Sequence, residues 1–256
     1  MFADAGTRSE TRERLQIVLP VHNEAESIAG VLSEIHAALA PTLEIEFILS
    51  EDGSRDGTPE VLRELATRLP AIVMSEPRRK GYARAVLDAL DRAETTHVLF
   101  LDSDGQYDPR DFWDLYAHRE AYDVVKGWRK PRSDTFTRRL MSRAFGLVHR
   151  MLFRVSLHDA SCSFVLMRRA AVRPLLPELG VLTEGFWWEF TARAALHGLR
   201  ILEVPVRHRP RAAGQTRVYH PGAVPGIAWR NLRGLFVIWR AARRVRPTPR
   251  GQDHDD

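Results

Sequence analysis

Cysteine is almost absent from this chain of 256 residues. Cys162 stands alone, so no intrachain disulfide can form, which fits a reducing compartment and excludes a secreted disulfide scaffold. Long apolar runs are missing as well. The longest toward the C-terminus is Leu235 to Trp239, whereas a spanning helix needs roughly 20 residues, so no segment is expected to cross a bilayer. Residues 1–14 lack an apolar signal core and are expected to form a disordered leader rather than an export signal. No GxGxxG follows the first expected strand and no GxxxxGK[ST] occurs anywhere, so dinucleotide and P-loop readings lose support. Acid is absent from one long stretch. Val204 to Gln252 contains no Asp or Glu but eleven Arg, a charge of +11 that leaves −6 on the rest of a chain totalling +5. That asymmetry implies an anionic partner: phosphate, nucleic acid or a membrane surface.

What is present reads as an ordered α/β domain, because 44% apolar residues suffice for a core and 28% charged residues do not suggest global disorder. Residues 15–21 form a continuous apolar strand, after which Ile28, Val31, Leu32, Ile35 and Leu39 recur at helical spacing. A strand at 44–50 and a Gly-rich loop precede Thr58-Pro59-Glu60, a helix start. Further strands are expected at 71–75, 97–102, 122–127, 161–167 and 199–206, with helices near 82–92, 109–119, 135–153, 169–176 and 184–197. Alternation of this kind predicts a mostly parallel, Rossmann-like sheet covered by helices on both faces.

Ligands of open parallel sheets gather at the carboxyl ends of the strands. Three polar clusters fall at such ends: Pro20-Val21-His22-Asn23-Glu24, Ser50-Glu51-Asp52-Gly53-Ser54 and Asp102-Ser103-Asp104-Gly105-Gln106. Asp102 and Asp104 leave an apolar strand one residue apart. Two carboxylates so spaced can offer hard oxygens to Mg²⁺ or Mn²⁺, with Gln106 as a third ligand and positions left for a diphosphate. The plainer alternative is a turn, with Asp108 capping the next helix. Asp52 is read either as an acceptor for a nucleobase or as an Asx turn. Glu24 is read as a ribose contact or as a carboxylate in the first turn of a helix. Lys80-Gly81 before a helix suits a phosphate or is simply a solvated basic loop.

In this order the clusters resemble family 2 glycosyltransferases, in particular the dolichol-phosphate-mannose synthase and polyprenyl-phosphate group. The carriers are LPVHNEAESI, EDGSRDGT, RRKGYARAV, LDSDGQYDP, DASCSFVLMRR and EVPVRHRPRAAGQTR, between about residues 15 and 219. The resemblance implies a GT-A fold, inversion at the anomeric carbon and a diphosphate leaving from Mg²⁺ or Mn²⁺. It implies that Pro20, His22 and Glu24 line the nucleoside, that Asp52 contacts the base, and that Asp104 and Gln106 bind metal beside Asp102 and Ser103. Arg129, Arg138, Ser142, Arg211 and Arg217 match positions that gather phosphates, Arg217 standing where the group usually has Lys. Glu51-Asp52 replaces the usual Asp-Asp, and His22 a usual Tyr.

A phosphate acceptor is already anionic, so it needs positioning by Arg129 and Arg211 more than it needs a base. A hydroxyl acceptor would require one. Asp159 is the candidate for acceptor alignment or base work, against a loop aspartate bonding its own backbone. Glu184 is the second-choice base, against a carboxylate at a helix start, and Glu189 flanks the same GFWW segment.

Along residues 227–244, Arg230, Arg233, Arg240, Arg243 and Arg244 share one arc of a helical wheel. Ile227, Leu232, Leu235, Ile238 and Trp239 lie largely opposite, Trp229 and Phe236 fall at the boundary, and Val237 breaks the pattern. A basic amphipathic helix of this kind suits an anionic membrane surface, against a helix packed on the domain. The expected division is a leader at 1–14, a GT-A domain at 15–219, a basic amphipathic extension at 220–246 and a disordered tail at 247–256. The expected place is the inner face of the cytoplasmic membrane, with a nucleotide-sugar donor and a lipid phosphate acceptor. Transfer to a hydroxyl and an idle nucleotide- or nucleic-acid-binding protein are the competing readings. No nucleic-acid module supports the last of these, and no nucleic acid is expected as a partner.

Overall fold

The structure, a computed structural model, describes residues 12–130, 136–211 and 224–244; of residues 136–142, 224, 225 and 244 it describes only the backbone. In chain order the elements are β1 (Arg14–Val21), α1 (Ile28–Leu39), β2 (Glu44–Asp52), α2 (Thr58–Leu65), β3 (Ala71–Glu76), α3 (Tyr82–Arg92) and β4 (His97–Phe100). A 3-10 turn at Pro109–Asp111 leads into α4 (Phe112–Tyr116), β5 (Val124–Arg129) and α5 (Phe136–Phe153). The chain continues through β6 (Val165–Arg168), α6 (Arg169–Val172), a 3-10 stretch at Arg173–Glu178, α7 (Phe186–Leu196), β7 (Ile201–Val206) and α8 (Val224–Arg244).

The seven described strands form one sheet in the order β3-β2-β1-β4-β6-β5-β7. All run parallel except β6, which is antiparallel to both β4 and β5. Alternating strands and helices led to the expected parallel sheet, and the single reversal was not foreseen. It has a consequence for the site. With Phe100 paired to Val165, the residues before β6 stand at the same edge as the carboxyl ends of β1, β2, β4 and β5.

β1 alternates faces yet is buried from Leu15 to Val21, because helices cover both sides. On one face Ile28, Val31, Leu32, Ile35 and Leu39 of α1 pack with Phe112, Leu115 and the strand residues Ile17, Leu19 and Leu99. On the other, Val86, Ala89 and Leu90 of α3 pack with Phe186, Trp187 and Phe190 of α7 against Val18, Ile48 and Phe100. Each fully buried aliphatic or aromatic side chain contributes roughly 1.5–3 kcal/mol, so these two layers are what hold the carboxyl edge in place. The helix expected at 109–119 is interrupted: Asp108 accepts from the Arg110 N–H and turns the chain into a short 3-10 segment before α4.

A third cluster joins α8 to the domain. Leu235 and Ile238 pack with Phe153, Leu182 and Ala192, and Phe145, Trp188 and Trp239 lie against them. Leu182 contacts Gly234 so closely that a Cβ there would stand 2.7 Å from its Cδ2. The apolar arc of α8, with Ile227, Leu235 and Ile238 buried, is therefore spent on the protein. Trp229, Phe236 and Val237 remain outside, 69%, 49% and 51% exposed. The boundary and pattern-breaking positions of the helical wheel are the apolar groups left on the surface. Among the described residues no helix is long and apolar enough to cross a membrane.

Candidate active site

The first two loops at the carboxyl edge are laced together. Asn23 takes φ +55°, a left-handed conformation that asparagine tolerates better than most residues. Its N–H donates to Ser54 Oγ at 2.9 Å and its Oδ1 accepts from the Arg55 N–H at 2.8 Å. Ser54 N–H donates to Glu51 Oε1 at 2.5 Å, giving the buried Glu51 a structural role that the sequence did not reveal. Pro20 sits within β1 opposite Ser50. His22 touches Asn23 Nδ2 through Nε2 at 3.1 Å, while its buried Nδ1 and the buried Ser50 Oγ have no hydrogen-bond partner among the described residues.

Asp52 was expected to meet a nucleobase. Its buried carboxylate instead accepts from the N–H of Lys80 at 2.6 Å and of Gly81 at 3.0 Å, capping the start of α3. Gly53 is needed at this junction: at φ +65° a Cβ would lie 2.5 Å from the Arg79 backbone nitrogen. Lys80, expected near a phosphate, places Nζ 2.8 Å from Asp88 and 3.2 Å from Glu76, and these carboxylates raise its pKa against the opposing effect of burial. It faces its own helix in this arrangement.

Asp102 and Asp104 do come together. Asp102 Oδ1 accepts from Tyr82 Oη at 2.9 Å and Oδ2 accepts from Ser163 Oγ. Tyr82 in turn accepts from Trp187 Nε1 at 2.9 Å, and Tyr107 Oη lies 3.0 Å from Ser163 Oγ. A ring of hydroxyls and an indole therefore fixes Asp102. Its surroundings push its carboxyl up to about 6, through burial first and then the Asp104 charge. Burial raises Asp104 too, against the pull of Arg211 and Arg129 and of the Gln106 N–H, 3.2 Å away. Two neighbouring carboxylates with raised proton affinity form a site short of positive charge. Ser103, between them, is buried.

Gln106 has its amide direction set. Nε2 donates to the Arg209 carbonyl at 3.1 Å, which assigns the nitrogen to that side and leaves Oε1 as the ligating atom. Among the described residues no group of three His, Cys, Asp or Glu side chains could hold a metal. The hard-oxygen set of Asp102, Asp104 and Gln106 fits Mg²⁺ or Mn²⁺ only if a ligand such as a diphosphate completes the shell.

Two arginines approach this pair from other strands. Arg129, 9% exposed at the end of β5, forms a forked pair with Asp159, Nε to Oδ2 at 2.7 Å and Nη2 to Oδ1 at 2.9 Å, and also donates to Ser161 Oγ at 2.8 Å. Burial opposes its charge, but Tyr107 and Asp159 hold its pKa well above the ordinary value. Asp159 is thus engaged as a counterion, contrary to an open general base. Arg211, past β7, reaches Glu24, whose other oxygen accepts from Ser27 Oγ at 2.6 Å. Glu184, the second-choice base, pairs with Arg230 of α8 at 2.6 Å, and Glu189 is fully buried, accepting from Leu182 N–H at 2.8 Å and Arg193 Nε at 2.9 Å. The side chains of Arg138 and Ser142, and all of Arg217, lie outside the described residues, as do residues 1–11 and 245–256.

Sequence reading also missed Glu203. From β7 it accepts from the N–H groups of His158 and Asp159 at 2.5 and 2.7 Å, and so holds the loop that carries the Arg129 counterion. Only a lone Glu in an apolar strand signalled it.

Comparison with known proteins agrees with this arrangement. An undecaprenyl-phosphate 4-deoxy-4-formamido-L-arabinose transferase from Edwardsiella ictaluri is 29% identical over 81% of this chain and 64% of its own length. The protein of that name from Pseudomonas aeruginosa is 30% identical over 79% of this chain and 60% of its own. The chain spans less than two thirds of the length of these relatives. Among solved structures, glucosyl-3-phosphoglycerate synthase from Mycobacterium tuberculosis, in complex with Mn²⁺, uridine diphosphate and phosphoglyceric acid, superposes with a TM-score of 0.66 at 18% identity. That match covers 89% of this chain and 78% of the other. A mannosyltransferase from Pyrobaculum calidifontis in complex with GDP-mannose and Mn²⁺ gives 0.58 at 18% identity, over 93% and 77%. These likenesses show a GT-A fold. The profile of Glycosyl transferase family 2 matches residues 16–176, and the chain belongs to that family.

Proposed function

We propose that this chain transfers a hexose from a nucleotide-sugar, GDP-mannose or a UDP-sugar, to a polyprenyl phosphate at the membrane surface, with inversion at the anomeric carbon. The observation that carries the reading is the convergence on Asp104 of Arg211 and Arg129, two cations delivered by different strands to a carboxylate pair. Such a site suits a ligand with several negative charges bridged by a cation. Mg²⁺ or Mn²⁺, when bound, neutralises charge that develops on the departing diphosphate. Arg211 can exchange Glu24 for a phosphate, and Arg129, oriented by Asp159, can hold the anionic acceptor in line. The acceptor oxygen is already negatively charged, so the transfer needs no side-chain base. The names of the relatives support the polyprenyl phosphate.

The membrane reading draws on α5 and α8, neither of which contains an acidic residue. Leu147 and Met151 of α5 are 55% and 65% exposed, beside Trp229, Phe236 and Val237 of α8 and the exposed Arg150, Arg233 and Arg240. Apolar side chains among arginines suit anionic lipid on the inner face of the cytoplasmic membrane.

Incubation with a panel of UDP- and GDP-sugars, including an L-arabinose derivative, with Mn²⁺ and a polyprenyl phosphate should yield a lipid-linked sugar. Activity confined to soluble hydroxyl acceptors would reject the proposal.

A further inference from the structure

Three guanidinium groups converge on one buried carboxylate beside the aspartate pair. Asp108, 1% exposed, lies 2.8 Å from Arg110 Nη2, 3.1 Å from Arg207 Nη1 and 2.7 Å from Arg209 Nη2. Arg207 also closes on Asp111, its N–H at 2.6 Å and its Nε at 2.8 Å. Arg209 extends its other nitrogen, Nη1, to Glu34 of α1 at 2.7 Å. Between these ionic contacts runs a short backbone ladder. Arg209 N–H donates to the Gln106 carbonyl at 2.7 Å, Tyr107 bridges His208, and the Arg209 carbonyl accepts from Gln106 Nε2.

Arg209 therefore grips Gln106 twice through its main chain, while its side chain ties that main chain to two different elements. Helix capping accounts for the contact between Asp108 and Arg110 alone. It does not account for two more arginines arriving from a segment nearly a hundred residues later. A carbonyl can accept only from the nitrogen end of an amide, so the Arg209 carbonyl decides which way Gln106 presents its oxygen. Two residues further on, the same segment delivers Arg211 to Glu24.

We propose that Arg209, anchored by Asp108 and Glu34, is a positioning residue: it sets the Gln106 oxygen toward the cation and brings Arg211 into register with the same diphosphate. This rests on the reading of Asp104 and Gln106 as cation ligands. Partners one shell out from a metal ligand typically change affinity by about 10–100-fold when removed.

The test is Mn²⁺ binding in the presence of UDP or GDP, followed through the electron paramagnetic resonance signal of the free ion, with thermal unfolding measured alongside. Arg209→Gln, a partly exposed position, should weaken Mn²⁺ binding by about tenfold or more and leave the melting temperature nearly unchanged. Glu34→Gln should act in the same direction and more weakly. Arg209→Lys, which can still reach Asp108, should recover part of the loss. In turnover, KM for the nucleotide-sugar should rise more than kcat falls. If Arg209→Gln and Glu34→Gln both bind Mn²⁺ as tightly as the parent while Asp104→Ala does not bind it, the positioning role is wrong. If Asp104→Ala itself retains Mn²⁺, or the parent never binds it, the cation reading fails first.

Discussion

Arg129 and Asp159 form a forked ion pair in which both carboxylate oxygens are occupied, with Nε and Nη2 at 2.7 and 2.9 Å and both side chains buried. A carboxylate gripped in this way orients a cation; it is poorly placed to take a proton from an acceptor. Asp159→Asn should therefore behave as the loss of half a buried pair. It should destabilise the fold by about 3–5 kcal/mol and raise KM for the acceptor, because Arg129 loses its orientation. Arg129→Gln should produce the same pattern, and the double variant should cost less than the sum of the two. A general base would give a different result: a collapse of kcat at unchanged stability in Asp159→Asn alone.

The hydroxyl ring around Asp102 makes a second prediction. Tyr82 is the only described bridge between Trp187 Nε1 and Asp102. Tyr82→Phe keeps the ring packed against Phe186 but leaves a buried indole N–H unsatisfied and frees one carboxylate oxygen. A cost of about 1–3 kcal/mol in stability is expected, together with weaker Mn²⁺ binding in the presence of nucleotide. Ser163→Ala removes the other donor to Asp102 and should weaken Mn²⁺ binding in the same direction. Unchanged metal binding in both variants would separate the ring from the site.

Much of this was legible in the chain itself. Continuous apolar runs marked β1, β2 and β4, the 3.6-residue recurrence marked α1 and α3, and polar clusters at strand ends located the edge where Asp102 and Asp104 meet. What escaped was pairing across distance. Nothing local to Asp52 says that the Lys80 and Gly81 N–H groups will occupy its carboxylate, or local to Asp159 that Arg129 will grip it from 30 residues away. The reversal of β6 was hidden for a related reason, since VLMR reads the same in either direction. On α8 a helical wheel divides polar from apolar but cannot say which apolar residues the protein takes. Contact with Leu182 and Ala192 claims Leu235 and Ile238 and leaves Trp229 and Phe236 outside.

Those outward residues make the membrane reading testable. Co-sedimentation with vesicles should be strong for phosphatidylglycerol-containing lipid, weak for pure phosphatidylcholine, and reduced by salt. Arg233→Ala and Arg240→Ala should each weaken binding by about 1 kcal/mol, the value of one basic residue near an anionic surface. Trp229→Ala, at a 69% exposed position, should reduce binding without lowering the melting temperature. Equal binding to neutral and anionic vesicles would exclude the arginines from the interaction.

The last prediction concerns pH and the floor beneath α5. His149 is 1% exposed, its Nε2 lies 3.0 Å from the Trp188 carbonyl, and it packs on Phe153 and Trp188. Burial, and to a lesser degree the charge of Lys126, lower its pKa to about 4. An unfolded chain titrates this group near 6.5, so the unfolded state binds the proton first. The stability that neutral His149 supports is therefore fully present above about pH 6.5 and lost as pH falls toward 4, roughly 3 kcal/mol in all. Asp102, pushed up to about 6 by burial and Asp104, works in the opposite direction, since it takes up a proton more readily in the folded state. The two contributions overlap between pH 7 and 5, and a melting curve of the parent alone would blur them. His149→Gln separates them, because an amide can still donate to the Trp188 carbonyl but does not titrate in this range. Its stability at pH 7 should be lower than that of the parent, yet between pH 7 and 5 it should lose about 2 kcal/mol less. Parallel curves for the two proteins would mean that His149 carries its proton in the folded state, which its buried setting against Lys126 forbids.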